Sequence, residues 1–208
     1  VPSFPLNPNK ADWSVWDFPD VVDHWNFPGY EGKKMTVSVY SNCEQVELFL
    51  NGESLGKQEN TADKKNTLVW EVPYAHGILK AVSYNKGGEV GTATLESAGK
   101  VEKIRLSADR TEIVADGNDL SYITLELVDS KGIRNQLAEE LVEFSIAGDA
   151  TIEGVGNANP MSIESFVANS RKTWRGSNLL VVRSGKSSGR IIVTAKVKAL
   201  PVASITIT

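Results

Sequence analysis

Asn51-Gly52, set between two short alternating runs, restricts what this chain can fold into more than any other feature. Both residues accept the positive φ of a type I′ turn, whose twist matches that of the strands it joins. Upstream, Val46, Leu48 and Leu50 alternate with Glu47 and Phe49, the period of two expected of a half-buried strand. Downstream the chain returns through Glu53, Ser54 and Leu55. These residues predict a hairpin.

The same period recurs through the rest of the sequence. Met35, Val37 and Val39 alternate before the hairpin. After a polar loop over 59–66, Leu68, Trp70 and Val72 alternate, with Trp70 as a natural core anchor. Residues 77–84 and 89–95 form a last pair across the turn cluster Asn85-Lys86-Gly87-Gly88. The small, polar stretch Ser97-Ala98-Gly99-Lys100 then marks a domain boundary. Beyond it, Ile104 and Leu106 open a second half. Ile123, Leu125 and Leu127 precede the Asp129-Ser130-Lys131-Gly132 turn, and Val142, Phe144 and Ile146 follow. Ile191, Val193, Ala195 and Val197 give a late strand, and 202–208 an edge strand. Residues 137–141 suit one helical turn, but no stretch sustains a 3.6-residue period. The expectation is an all-β chain of two tandem antiparallel immunoglobulin-like β-sandwich domains. The first is residues 1–98, with an extended proline- and aromatic-rich lead-in; the second is residues 99–208.

Composition excludes several functions. A formal net charge of -4 leaves no electrostatic footprint for nucleic acid or an anionic membrane. No run approaches the roughly 18–20 apolar residues that span a bilayer. Cys43 is the single cysteine, so no internal disulfide framework exists, and with two histidines there is no zinc-type spacing. The opening Val1-Pro2-Ser3-Phe4-Pro5 carries no initiator methionine and reads as the start of an excised piece.

Two resemblances follow from particular words in the sequence. The hairpin residues stand after His24-Trp25-Asn26-Phe27, Glu31-Gly32 and Val37-Ser38-Val39-Tyr40-Ser41-Asn42. Trp70-Glu71-Val72-Pro73-Tyr74 and Gly77-Ile78-Leu79-Lys80-Ala81 come after them. Together, over roughly 12–96, they resemble a β-sandwich module that follows the catalytic barrel in bacterial glycoside hydrolase family 2 enzymes, the β-galactosidase and β-glucuronidase relatives. In the second half, the segment from Leu106 through Asp116-Gly117 to Tyr122 is similar to invasin-type bacterial immunoglobulin-like domains. Gly154-Val155-Gly156-Asn157-Ala158-Asn159-Pro160, Glu164-Ser165-Phe166 and Arg171-Lys172-Thr173-Trp174-Arg175-Gly176 resemble the terminal domain of the same glycosidases. A glycine is common there where Ala158 stands.

The chemistry-bearing residues are read against those resemblances. Retaining glycosidases need two carboxylates about 5–5.5 Å apart across a cleft, and the family's barrel alone needs about 250 residues. The chain has neither that length nor the strand–helix alternation, so no catalytic residue, metal site or cofactor is predicted. Glu139-Glu140, Asp116 with Asp119, and the acids from Asp12 to Asp23 read as solvated charges or turn formers, ahead of a calcium role for Asp116 and Asp119. Gly154-Val155-Gly156 fails as a dinucleotide fingerprint: the third glycine is missing and Pro160 stands where a helix should open. A surface loop is expected instead.

The contact candidates are Trp13, Trp16, Trp25 and Tyr30 in the first half, and Asn157, Asn159, Glu164, Phe166 and Trp174 in the second. Their aromatic faces suit either a sugar ring or an interface with the parent's other domains, the latter preferred. The resemblance implies a non-catalytic C-terminal accessory region of a family 2 glycoside hydrolase, supporting the catalytic barrel and shaping substrate access or oligomerisation. It also implies a periplasmic or secreted location. The alternatives are a carbohydrate-binding module acting through residues 13–30, and a cell-surface adhesin spacer.

Overall fold

The computed structural model describes residues 21–208 and the backbone of the short strand Pro2–Ser3. Trp13 and Trp16 lie outside the described residues. Two compact units divide the chain, Val1–Ser97 and Ala98–Thr208.

The first unit contains β1 (Pro2–Ser3), β2 (Lys34–Tyr40), β3 (Gln45–Leu50), β4 (Glu53–Glu59), β5 (Thr67–Pro73), β6 (Ile78–Asn85) and β7 (Gly88–Glu96). A 3-10 turn at Ala62–Lys64 links β4 to β5. The strands form two antiparallel sheets, ordered β1-β2-β5 and β4-β3-β6-β7. At the expected hairpin, Asn51 and Gly52 take φ of 52° and 87°, and Leu50 pairs with Glu53. Asn51 does more than turn the chain. Its Oδ1 accepts the Ile78 amide at 2.8 Å, and its Nδ2 donates to the His76 carbonyl at 3.2 Å. Gly77, at φ 141°, lets this amide approach: a Cβ there would sit 1.8 Å from Asn51 Oδ1.

The inward faces are the alternating positions. Met35 and Val37 of β2 and Leu68, Trp70 and Val72 of β5 share one core with Val46 and Leu48 of β3 and Leu79 and Ala81 of β6. Burying each aliphatic side chain contributes about 1.5–3 kcal/mol. Because the two sheets donate their inner faces to one cluster, the unit is a β-sandwich.

The second unit contains β8 (Lys103–Ala108), β9 (Leu120–Val128), β10 (Leu141–Ala147), β11 (Ala150–Gly156), β12 (Ser170–Lys172), β13 (Ser177–Ser184), β14 (Ile191–Val197) and β15 (Ala203–Ile207). Its antiparallel sheets run β11-β13-β9-β8 and β12-β10-β14-β15. Ile123, Leu125 and Leu127 of β9 and Leu180 and Val182 of β13 pack with Val142 and Phe144 of β10 and the alternating face of β14. The final residue is held too: Thr208 donates its amide to Thr111 O and accepts that of Ile113, both at 2.8 Å.

Two expectations need correction. Residues 137–141 make no helical turn. Only a turn at 136–137 is present, and Leu141 already begins β10, where it pairs with Lys172. Gly154-Val155-Gly156 is no surface loop but the end of β11. The reason lies in the register, which shifts between Ile152 and Gly154 so that Glu153 is an extra residue. That bulge lets Ile152 and Val155, three apart, both pack on the core, which a strict period of two forbids. Two further register shifts occur. Leu55 and Gly56 together oppose Leu48, and Val90 is extra between β6 and β7.

Candidate functional site

The described part of the aromatic strip faces inward. Trp25 is 0% exposed, and its Nε1–H donates to the Ala75 carbonyl at 2.8 Å. Phe27 and Tyr74 meet it edge-on at ring-centroid distances of 5.8 and 5.1 Å, and meet each other at 5.6 Å. Ser97 Oγ donates to the Trp25 carbonyl, closing the segment from behind. Trp25 therefore presents no face to a ligand or a partner, and its candidacy as a contact residue is corrected. A ring so enclosed, with its one polar atom satisfied, is a core anchor. Tyr30 is half-buried, with the Lys33 ammonium 4.6 Å from its ring centroid.

In the second unit the structure brings four of the candidates into one loop, residues 157–169, between β11 and β12. Asn157 is buried; its Nδ2 donates to Lys172 O at 2.9 Å, and its Oδ1 accepts the Asn159 amide at 3.0 Å. Asn159 Oδ1 repeats the device one step on, accepting the Met161 amide at 2.9 Å. Such local side-chain-to-backbone bonds fix a turn that has no ladder partners. Ala158, between them, stands at φ 59°, a left-handed position that explains why glycine suits this site. Glu164 turns its carboxylate inward, accepting the Lys172 amide at 3.1 Å and the Ser162 hydroxyl at 3.1 Å.

Arg171 of β12 pins the loop from inside and was not among the sequence candidates. It is fully buried, and its Nη1 donates to Val155 O at 3.3 Å and Glu164 O at 3.0 Å. Its guanidinium carbon lies 4.2 Å from the Phe166 ring centroid, so one face of that ring is covered. Nε and Nη2 make no hydrogen bond, and neither does the nearby Asn178 Oδ1, although Asn178 Nδ2 reaches Arg171 O at 3.1 Å. No sequence signal distinguishes this arginine from a surface one. On the outer side of the loop Met161 is 84% exposed, Ile163 101%, Phe166 62% and Val167 80%.

Trp174 is half-buried and flanks a tight turn, exchanging backbone hydrogen bonds with Ser177 across Arg175 and Gly176 at φ 50° and 70°. Gly176 is required there, since a Cβ would stand 2.2 Å from the Asn135 carbonyl oxygen.

Among the described residues, every carboxylate whose pKa departs from its ordinary value is shifted down. The Ser54 hydroxyl, then Lys57 and Tyr84, lower Glu47. The Tyr122 amide lowers Asp109, the Val114 amide and Arg110 lower Asp119, and the Ser187 amide and hydroxyl lower Asp149. The Thr61 hydroxyl does the same for Asp63. At Asp129 burial pushes upward but is outweighed by the amides of Gly99, Ile133 and Lys131. Asp116, weighed for calcium, spends Oδ1 on the amides of Asn118 and Asp119. Among the described residues no group of three or more His, Cys, Asp or Glu side chains is placed to hold a metal ion.

Two β-sandwich units with loops stapled by side-chain-to-backbone bonds define a modular all-β region. Residues 104–206 match the family described as glycoside hydrolase family 2 C-terminal domain 5, and residues 32–91 match a domain of unknown function, DUF4982. The chain belongs to the family 2 glycoside hydrolases, as a C-terminal accessory region. It is 33% identical over 192 residues to a beta-galactosidase of Bacteroides ovatus, covering 92% of this chain and 22% of that protein. A beta-glucuronidase of Formosa agariphila is 30% identical over 205 residues, 95% of this chain and 20% of its own length. A crystal structure of a glycosyl hydrolase family 2 member from Bacteroides cellulosilyticus superposes with a TM-score of 0.93 at 98% identity. That match covers all of this chain and 27% of the other. The chain thus spans about a quarter of the length of the relatives it matches.

Proposed function

We propose that this chain carries no catalysis of its own and braces the catalytic part of a family 2 glycoside hydrolase acting on β-galactosides or β-glucuronides. The observation that supports the non-catalytic reading is the downward shift of every perturbed carboxylate among the described residues. A glycosidase general acid must hold a proton near neutral pH, which needs a raised pKa. The perturbed carboxylates here are instead held ionised by hydrogen bonds from turns and neighbouring strands. The same bonds rigidify loops, which suits a brace.

The test is direct. The 208-residue chain, incubated with 4-nitrophenyl β-galactoside and 4-nitrophenyl β-glucuronide, is expected to release nitrophenol no faster than buffer. Release that survives repurification and disappears on substituting a single carboxylate of this chain overturns the reading.

A further inference from the structure

We propose that the loop 157–169 is a preformed apolar docking surface for another part of the same family 2 glycoside hydrolase polypeptide, a proposal that rests on the accessory reading above. Met161, Ile163, Phe166 and Val167 place four large apolar side chains in solvent within seven positions. Exposed apolar patches of this kind mark partner surfaces when they are contiguous and held in shape. This one is held in shape. Asn157, Asn159 and Ser162 fix the turn, and Arg171 ties its return to Val155 and Glu164. Little backbone entropy remains to be lost on docking.

Charge narrows the occupant. Glu164 is the one ionisable side chain from 157 to 169, and its carboxylate faces Lys172 N and Ser162, not the outer side. A loop with no cation of its own, beside an Arg171 that is fully buried, offers little to phosphates or to an anionic membrane. A sugar ring stacks on flat aromatic faces, yet Phe166 already has one face against Arg171, and the other three side chains are aliphatic. What fits is an apolar protein surface.

Size and tethering say which protein. Four side chains give a patch of a few hundred Å², below the roughly 1,200 Å² of total buried area at which free partners form stable complexes. A second copy of the chain would also have to meet the cost of lost translational freedom. A covalently joined domain does not, because linkage supplies effective concentrations on the order of millimolar. The 98%-identical crystal structure holds nearly three quarters of its polypeptide outside the matched region, which is where a tethered partner would lie.

The two methionines supply the probe. Met35 is a buried core residue and Met161 is exposed, so hydrogen peroxide distinguishes them within one molecule. Sulfoxide formation is followed by peptide mass spectrometry in this chain and in the longer enzyme carrying this chain's own sequence over the 98%-identical stretch. Met161 is expected to oxidise at least about tenfold more slowly in the longer enzyme, with Met35 slow in both. Ile163→Asp with Val167→Asp in the longer enzyme is expected to bring Met161 back to within about twofold of its rate in this chain.

Equal Met161 rates in the two proteins overturn the proposal. So does protection of Met161 in this chain alone, whether it grows with protein concentration, as for a second copy, or appears on adding phosphatidylcholine vesicles. Amide hydrogen exchange separates the two failures. If other surfaces of this chain gain protection in the longer enzyme while Met161 does not, the docking loop is wrong and the accessory reading stands. If no surface gains protection, both fall.

Discussion

The two units solve one architectural problem with different chemistry. The first closes its core with rings: Trp25, Phe27 and Tyr74 meet edge-to-face, and Trp70 fills the space between the sheets. The second buries a single aromatic residue, Phe144, in an otherwise aliphatic core. It spends its polar side chains inward instead, with Asp129 gathering three backbone amides and Arg171 pinning a loop from below. A β-sandwich is thus indifferent to how its loops are secured, provided each buried polar group of the backbone finds a partner. The difference makes the units respond to different insults.

The largest effect is expected from the rings. Trp25→Ala or Trp70→Ala should cost about 3–5 kcal/mol, the range for removing a core aromatic. The loss should appear only in the unfolding of the first unit. Denaturant titration of the whole chain, with amide hydrogen exchange reading residues 1–97 and 98–208 separately, checks this. An equal loss in both units would show that they share one cooperative core.

Asp129→Ala should cost the second unit about 1–3 kcal/mol, since it strands amides of Gly99, Lys131 and Ile133 that the carboxylate now satisfies. Asp129→Asn should cost less, because the amide oxygen still accepts. Thermal unfolding of 98–208 reads both substitutions.

Acid should separate the units in the same direction. A carboxylate whose pKa is lower folded than unfolded contributes stability above its unfolded pKa of about 4, and that contribution is lost as pH falls through the folded value. Among the described residues, Asp109, Asp119, Asp129 and Asp149 are lowered in the second unit, against Glu47 and Asp63 in the first. The melting temperature of 98–208 should therefore drop more steeply than that of 1–97 between neutral pH and pH about 3. Parallel slopes would mean the staples carry little of the difference. The smallest effect belongs to the exposed pair Arg183 and Glu153, 3.0 Å apart, whose removal by Glu153→Ala should change stability by about 0.5 kcal/mol or less.

Local grammar made much of the fold readable. Asn51-Gly52 needs no distant partner to specify its turn, and Leu68, Trp70 and Val72 announce their buried face by spacing alone. What escaped was set by tertiary relations. Ile152 and Val155 share a face only because Glu153 bulges out, so the sequence shows two apolar residues at the wrong interval. In β13 the run Leu179-Leu180-Val181-Val182 carries no alternation to read, although only Leu180 and Val182 belong to the core. The candidate site was half legible. Asn157, Asn159 and Phe166 stood out as contact candidates, but the turn-forming role of the two asparagines shows only in their bonds to the backbone. Trp25 read like a contact residue but faces inward, an orientation decided by Tyr74 and Ala75, some 50 positions on, and by Ser97. Arg171 was unreadable because its burial depends on a loop folding back over it.

The three bulges carry a consequence for behaviour at high concentration. Each falls in a pairing that includes a strand at the margin of its sheet, namely β4, β7 or β11. A straight marginal strand offers its unpaired amides and carbonyls to an identical molecule, the first step toward fibrils. A bulge breaks the register such a neighbour must match, and Glu53, Lys57, Glu59, Glu89 and Glu96 add charge along β4 and β7. Irregularities that blurred the sequence pattern thus also oppose strand-to-strand pairing at the β4, β7 and β11 margins.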